Sequence, residues 1–331
     1  MPDYKVVITD FSDPDNALEA QVLQDSGLPI HLVRLQTKAA DELIPQVGDA
    51  DALIVQWASI NRQVIEALQH CQVISRYGVG VDMVDLAAAA EHNIPVANVP
   101  DFCIEEVSLQ AIGFVIDLNR RTFQLHEYTR SGQWGQAPLP VSAPRRLSTQ
   151  TIGIVGLGNI GRAVAQKAAH LGLRVLGHDP YVAPAAIAGL SVELVSLEAL
   201  LRGSDYVTLH CPLVPETRHL ISAPQLALMK PEAYLMNLSR GPVVDQAALC
   251  DALIKGVIAG AALDVLDPEP PAPDEPLLRL PNVMITPHAS SWSVESITQL
   301  RRQTAQNVVD VLQGQLPRSI VNRAALGIKR G

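Results

Sequence analysis

Three residues in this chain have the types and spacing to reduce or form a carbonyl group. Arg240, in Ser239-Arg240-Gly241, follows the apolar run at 233–238. Glu269, in Asp267-Pro268-Glu269-Pro270, follows the run at 258–263, and His288, in Pro287-His288, follows the run at 283–286. Each run reads as a buried strand, and in an open parallel sheet ligands sit beyond the carboxyl ends of the strands. A carbonyl being reduced needs a proton on its oxygen as hydride reaches its carbon, and a histidine can supply it near neutral pH. A neighbouring carboxylate holds such a ring in orientation and favours its protonated form. Arginine presents a planar fork that grips a substrate carboxylate better than lysine does. Singly, each residue has a plainer reading: a surface ion pair, an exposed loop carboxylate, a helix cap. Three successive strand ends supplying one each favour chemistry.

The stretch TIGIVGLGNIGRAVAQKAAHLGLRVLGHDP at 151–180 says what supplies the hydride. A strand-like run at 152–155 leads into Gly156-Leu157-Gly158-Asn159-Ile160-Gly161, the G-x-G-x-x-G spacing, and then into an Ala-rich helix closed by Gly172. Gly156 permits the tight turn, Gly158 lets backbone approach a pyrophosphate, and Gly161 lets helix and strand pack closely. The helix N-terminus offers unpaired N–H groups to the anion. Asp179 lies 18 residues beyond Gly161, where a carboxylate receives a ribose 2′-hydroxyl and repels a 2′-phosphate. The expected cofactor is NAD, and with it the triad suits hydride exchange with a 2-oxo acid.

Composition excludes other classes. Hydrophobic residues at 48% and charged residues at 18% describe a globular chain of 331 residues, long enough for two domains. A net charge of −9 argues against nucleic-acid or anionic-membrane binding. Cys71, Cys103, Cys211 and Cys250 have no metal-ligand spacing, so no metal is expected. The opening MPDYKVVITD carries no signal-peptide pattern, and no run reaches the roughly 18 apolar residues of a membrane helix. A cytoplasmic location is expected.

The positioning elements alternate between short strand-like and helix-like segments, which implies parallel sheets covered on both faces. Residues 1–99 contain five such strands, and Arg76-Tyr77-Gly78-Val79-Gly80-Val81-Asp82 makes a glycine-rich turn after one of them. Backbone N–H groups there, at Val79 and Gly80, could hold the same substrate carboxylate. Residues 98–100 look like a crossing point between domains. The stretch at 104–131 reads as one long helix broken only by Gly113, and it is the expected homodimer element. A proline-rich loop covers 138–144, and a second alternating run follows. The fold class is α/β, with two doubly wound parallel-sheet domains.

These residues resemble the NAD-dependent D-isomer-specific 2-hydroxyacid dehydrogenases, the family that includes phosphoglycerate, glycerate and formate dehydrogenases. Besides the fingerprint, HCPLVPETRHLI at 210–221, MNLSRGPVVD at 236–245, AALDVLDPEP at 261–270 and ITPHAS at 285–290 are typical of it. The resemblance implies that Arg240 binds the substrate carboxylate and carbonyl, while Glu269 pairs with His288, the general acid–base. It places Asn159 and Ile160 on the pyrophosphate and Asp179 on the adenosine ribose. Cys211, Pro212, Thr217, Leu238, Ser239 and Asp264 would line the nicotinamide half, beside Arg240 and His288 themselves. Val79 and Gly80 would offer N–H groups to the substrate. It also implies that a Rossmann NAD-binding domain, 100–289, is inserted in a flavodoxin-like substrate domain, 1–99 plus 290–331.

RYGVGVDMVD, NVPDFCIEEVS and the Trp292 region lean toward the branch of the C-terminal-binding proteins, and HASSW replaces the H-x-G-G pattern of the phosphoglycerate enzymes. No regulatory domain is expected after residue 331, so the common phosphoglycerate enzyme is not the expected identity. Trp57 and Trp292 would favour an apolar or bulky side group if both face the substrate. Two other functions fit the same scaffold: an NAD(H)-sensing corepressor-like binding protein, and a dehydrogenase of a non-carboxylate anion such as phosphite.

Overall fold

The computed structural model describes residues 3–134 and 143–328. Residues 138–142 of the expected proline-rich loop lie outside them. The chain divides into two compact units, Met1–Phe102 with Ser293–Gly331, and Cys103–Trp292.

In the first unit β1 (Tyr4–Ile8), α1 (Ala17–Asp25), β2 (Ile30–Arg34), α2 (Ala40–Val47), β3 (Ala52–Val55), α3 (Arg62–Ala67), β4 (Val73–Arg76), α4 (Leu86–Glu91) and β5 (Val96–Ala97) alternate. The five strands are all parallel, in the order β2-β1-β3-β4-β5. β3 and β4 are buried along their whole length, which is why both lack an apolar–polar alternation. Asn61 and Asp85 start α3 and α4 by accepting backbone N–H groups from Val64 and Ala88.

The second unit runs through α5 (Ile104–Arg120), α6 (Thr122–Arg130), β6 (Thr151–Val155), α7 (Asn159–His170), β7 (Arg174–His178), β8 (Glu193–Leu194), α8 (Leu197–Gly203), β9 (Tyr206–Leu209), α9 (Ala223–Leu226), β10 (Tyr234–Asn237), α10 (Gln246–Ile254), β11 (Gly260–Leu263) and β12 (Val283–Ile285). Its seven parallel strands are ordered β12-β11-β10-β9-β6-β7-β8. Register brings His178, Val155, Leu209, Asn237, Leu263 and Ile285 into one row at the carboxyl ends of six strands. Every loop that carries a proposed site residue of this unit therefore leaves the same edge. β6, β9, β10 and β11 are wholly buried, each Leu or Ile contributing about 1.5–3 kcal/mol. The chain then returns to the first unit as α11 (Val294–Leu312), capped by Ser293.

The two-domain doubly wound architecture expected from sequence is present. The stretch expected to form one long helix broken only at Gly113 is two helices, α5 and α6. Gly113 lies inside α5, where a Cβ would meet nothing within 4 Å, so the helix runs straight through it. The break comes at Arg121, which is left-handed at φ 58°. Its N–H still reaches the carbonyl of Asp117, while the Asp117 carboxylate takes the N–H of Phe123 and starts α6. Among the described residues, no helix is long and apolar enough to cross a membrane.

Candidate active site

Arg240, Glu269 and His288 follow three adjacent strands, β10, β11 and β12. Asn237, the last residue of β10, shapes the first loop. Its side-chain oxygen accepts from the N–H (3.1 Å) and hydroxyl (2.9 Å) of Ser239, and its amide donates to the carbonyl of Arg240 at 2.8 Å. The Arg240 guanidinium donates to the carbonyl of Ser239 at 2.8 Å. Gly241 then brings this loop against the next one. A Cβ at Gly241 would sit 2.0 Å from the carbonyl oxygen of Leu266, so only glycine permits the approach.

Glu269 is anchored at one oxygen and engaged at the other. Oε1 accepts the N–H of Leu266 at 3.1 Å, and Oε2 lies 2.7 Å from Nδ1 of His288. A carboxylate can only accept, so this contact puts a proton on Nδ1 and leaves acid–base work to Nε2. His288 is itself left-handed at φ 51°, and its N–H donates to the carbonyl of Asp264 at 2.8 Å. Asp264 is 3% exposed and organises the whole turn. Its carboxylate accepts from the hydroxyl of Thr286 (2.6 Å) and the N–H groups of Ala289 (2.9 Å) and Ser290 (3.1 Å). Asp264, expected beside the nicotinamide, is thus also the support of the His288 loop. Asn237 and Thr286 stand in the quoted motifs, and the sequence alone does not single them out. The signal for both is a polar side chain at or just past the end of an apolar strand, buried in β10 and half-buried in β12.

The glycine fingerprint has the geometry of a dinucleotide cradle. Gly156 has φ 92°, and a Cβ there would meet the backbone nitrogen of Cys211 at 2.7 Å. A Cβ on Gly161 would lie 2.0 Å from the carbonyl oxygen of Gly156. A Cβ on Gly158 would meet nothing within 4 Å, so packing does not explain that glycine. No side chain caps the N-terminus of α7. The N–H groups of Asn159 and Ile160 are thus available to a pyrophosphate. Asp179 accepts the N–H of Leu157 at one oxygen (2.8 Å) and that of Tyr181 at the other (2.9 Å). Each oxygen keeps a lone pair for a ribose hydroxyl. Uncapped helix, open glycine and fixed carboxylate together fit NAD.

The remaining lining positions follow β9 and β10. Burial pushes the Cys211 thiol up to about 11, which keeps it protonated. Thr217 is already engaged: its hydroxyl donates to the carbonyl of Pro212 at 2.6 Å and accepts from the N–H of Val214 at 2.9 Å, folding the 212–217 loop. Leu238 is buried, and Ser239 is held by Asn237. Burial pushes the His210 imidazole down to about 4, with Nε2 paired to the Thr208 hydroxyl at 2.9 Å and Nδ1 buried without a partner. His178 and His219 are held by backbone contacts, to Val195 and Pro242.

In the first unit, Gly78 has φ 135°, and a Cβ there would fall 1.5 Å from Nη1 of Arg76. Among the described residues, no hydrogen bond from the N–H of Val79 or Gly80 is present. The Trp57 ring lies 5.5 Å from the guanidinium carbon of Arg76, and Trp292, in the second unit, is 77% exposed.

Comparison with known proteins decides the family. The profile of the D-isomer specific 2-hydroxyacid dehydrogenase NAD binding domain matches residues 112–290. The chain belongs to the D-isomer specific 2-hydroxyacid dehydrogenases. A glyoxylate reductase from Korarchaeum cryptofilum is 39% identical over 289 residues, 87% of either chain. A D-3-phosphoglycerate dehydrogenase from Methanocaldococcus jannaschii is 36% identical over 320 residues, which are 96% of this chain but 59% of that one. The solved D-lactate dehydrogenase from Aquifex aeolicus, complexed with NAD and lactic acid, has a TM-score of 0.87 at 25% identity, covering 98% of this chain and all of the other. This member of the family is an NAD-dependent 2-hydroxyacid dehydrogenase.

Proposed function

We propose that the enzyme interconverts a 2-oxo acid and the D-2-hydroxy acid, with His288 as general acid–base. The observation that carries the reading is the 2.7 Å contact between His288 and Glu269, beside the Arg240 loop and on the edge that bears the fingerprint. Bound NADH supplies the hydride. In the reducing direction Arg240 grips the substrate carboxylate, and Nε2 of His288 gives its proton to the carbonyl oxygen. Glu269 keeps the ring aimed and stabilises it while it is protonated. In the oxidising direction the same nitrogen takes the hydroxyl proton back.

The substrate domain in this reading is 1–99 plus 290–331 and the NAD-binding domain 100–289, with Val79 and Gly80 giving N–H groups to the substrate. An apolar or bulky side group follows if Trp57 and Trp292 both face the substrate, and an unchanged substrate preference in Trp57→Ala and Trp292→Ala would reject it. The four cysteines are free, as suits a cytoplasmic enzyme. The homodimer forms through α5, which presents Leu109, Gly113 and Ile116 along one face, the two apolar side chains 50% and 41% exposed. Sedimentation of Ile116→Glu as a monomer would support this, and an unchanged species would reject it.

The test follows NADH absorbance with glyoxylate, pyruvate, the 2-oxo acid of 3-phosphoglycerate and bulkier 2-oxo acids, for the wild type and His288→Ala. Turnover of an acid that is lost in the variant supports the proposal. Tight NADH binding with no acid reduced overturns it.

A further inference from the structure

Tyr77 sits between Arg76 and Gly78 in the glycine-rich turn of the first unit and is 6% exposed. Its hydroxyl donates to Oε1 of Glu19, on α1, at 2.9 Å. Glu19 is 2% exposed and accepts two more hydrogen bonds, from Nε (2.8 Å) and Nη2 (2.7 Å) of Arg301 on α11. Arg301 also donates to the backbone carbonyl of Asp15 at 2.8 Å and to its carboxylate at 3.2 Å, with Asp13 3.9 Å away. Burial, reinforced by Glu19, raises the Tyr77 phenol far above its usual range, so it remains a donor at every working pH.

A buried ion pair is weak evidence for stability, because desolvation offsets most of its attraction. A phenylalanine at position 77 beside an apolar α1–α11 contact would fill the same space. What the charged network adds is direction: a phenol bound to a doubly anchored carboxylate has one position. The turn is held by two further bonds, from the amide of Asn98 to the carbonyl of Val79 at 2.7 Å and from the N–H of Val99 to that of Gly78 at 3.0 Å. Both supports grip the turn by groups other than the N–H groups of Val79 and Gly80.

We propose that Tyr77, Glu19 and Arg301 are positioning residues that hold the Val79–Gly80 turn in register for an anionic substrate. The proposal rests on the reading that this turn binds the substrate carboxylate. Tyr77→Phe removes one hydroxyl and leaves the Glu19–Arg301 pair intact. It is expected to raise KM for the preferred 2-oxo acid about three- to tenfold, the weight of one directed hydrogen bond, with kcat and the Kd of NADH within about twofold of wild type. Val79→Pro, which deletes an N–H from the turn itself, separates the two ideas. A raised KM in both variants supports the proposal. A raised KM in Val79→Pro alone, with Tyr77→Phe changing only the melting temperature, overturns the positioning role and keeps the turn. An unchanged KM in Val79→Pro overturns the substrate reading of the turn and the proposal with it. A Tyr77→Phe enzyme that loses NADH affinity as much as substrate affinity reports general loosening and also overturns it.

Discussion

The Nδ1 atom of His288 lies 2.7 Å from Oε2 of Glu269, and the two residues are delivered by loops that follow neighbouring parallel strands. Replacing His288 with alanine removes the proposed proton donor. We expect kcat to fall about 10²–10⁴-fold, while NADH binding, followed by fluorescence, changes far less. Glu269→Gln preserves shape but not charge, and should lower kcat about 10- to 100-fold. Single-turnover measurements that show full-speed reduction in either variant would remove that residue from the mechanism.

In the proposed mechanism the fork of Arg240 holds the substrate carboxylate, and Arg240→Lys keeps only its charge. A loss of about a hundredfold or more in kcat/KM is expected. If a lysine at 240 worked equally well, bidentate recognition of a carboxylate would be excluded.

Gly158 and Gly161 belong to one fingerprint but do different jobs. Gly158→Ala meets no protein atom within 4 Å, so its melting temperature should stay close to wild type. Its added methyl group should weaken NADH binding about tenfold or more by crowding the pyrophosphate. Gly161→Ala drives a Cβ to 2.0 Å from the Gly156 carbonyl oxygen, and overpacking of this kind costs about 1–3 kcal/mol of stability. Thermal melts and NADH titrations of both variants check the division, which fails if the two lose stability equally.

His210 is a source of acid sensitivity. Burial lowers its folded-state pKa from 6.5 to about 4. Between those values the unfolded chain binds the extra proton and the folded chain does not, so stability is lost as pH falls from about 6.5 toward about 4. The melting temperature of the wild type should drop across this window. In His210→Gln that part of the drop should vanish, and a slope identical to wild type would show that other groups cause it.

Asp179 is a ribose ligand in this reading and a brace in the structure, because its oxygens already hold the N–H groups of Leu157 and Tyr181. Asp179→Ser should therefore lose NADH affinity about 10- to 100-fold without becoming an efficient NADPH enzyme. A clean exchange of cofactor preference, measured by comparing kcat/KM for the two coenzymes, would contradict the bracing role.

The local signals in this chain were strong enough to be read without a structure. The glycine spacing at 156–161, the buried apolar runs and the polar residues that end them are set by steric and hydration rules acting within a few residues. Those rules place Arg240, Glu269 and His288 at successive strand ends, and the sheet order β12-β11-β10 makes them neighbours. Local rules also mislead. Gly113 reads locally as a helix break, yet α5 runs through it with open space where a Cβ would lie. The break falls at Arg121, whose guanidinium carbon lies 5.0 Å from the ring of Tyr234, a residue more than a hundred positions away. Likewise β8 is two exposed residues at a sheet edge and carries no hydrophobic period to detect. Only the tertiary structure decided which polar side chains support others: Asn237 under Arg240, Asp264 under His288, and Glu19 joined to Arg301 across 282 positions. A buried carboxylate is stable only where the fold supplies its donors, and those donors come from segments whose meeting no sequence window contains.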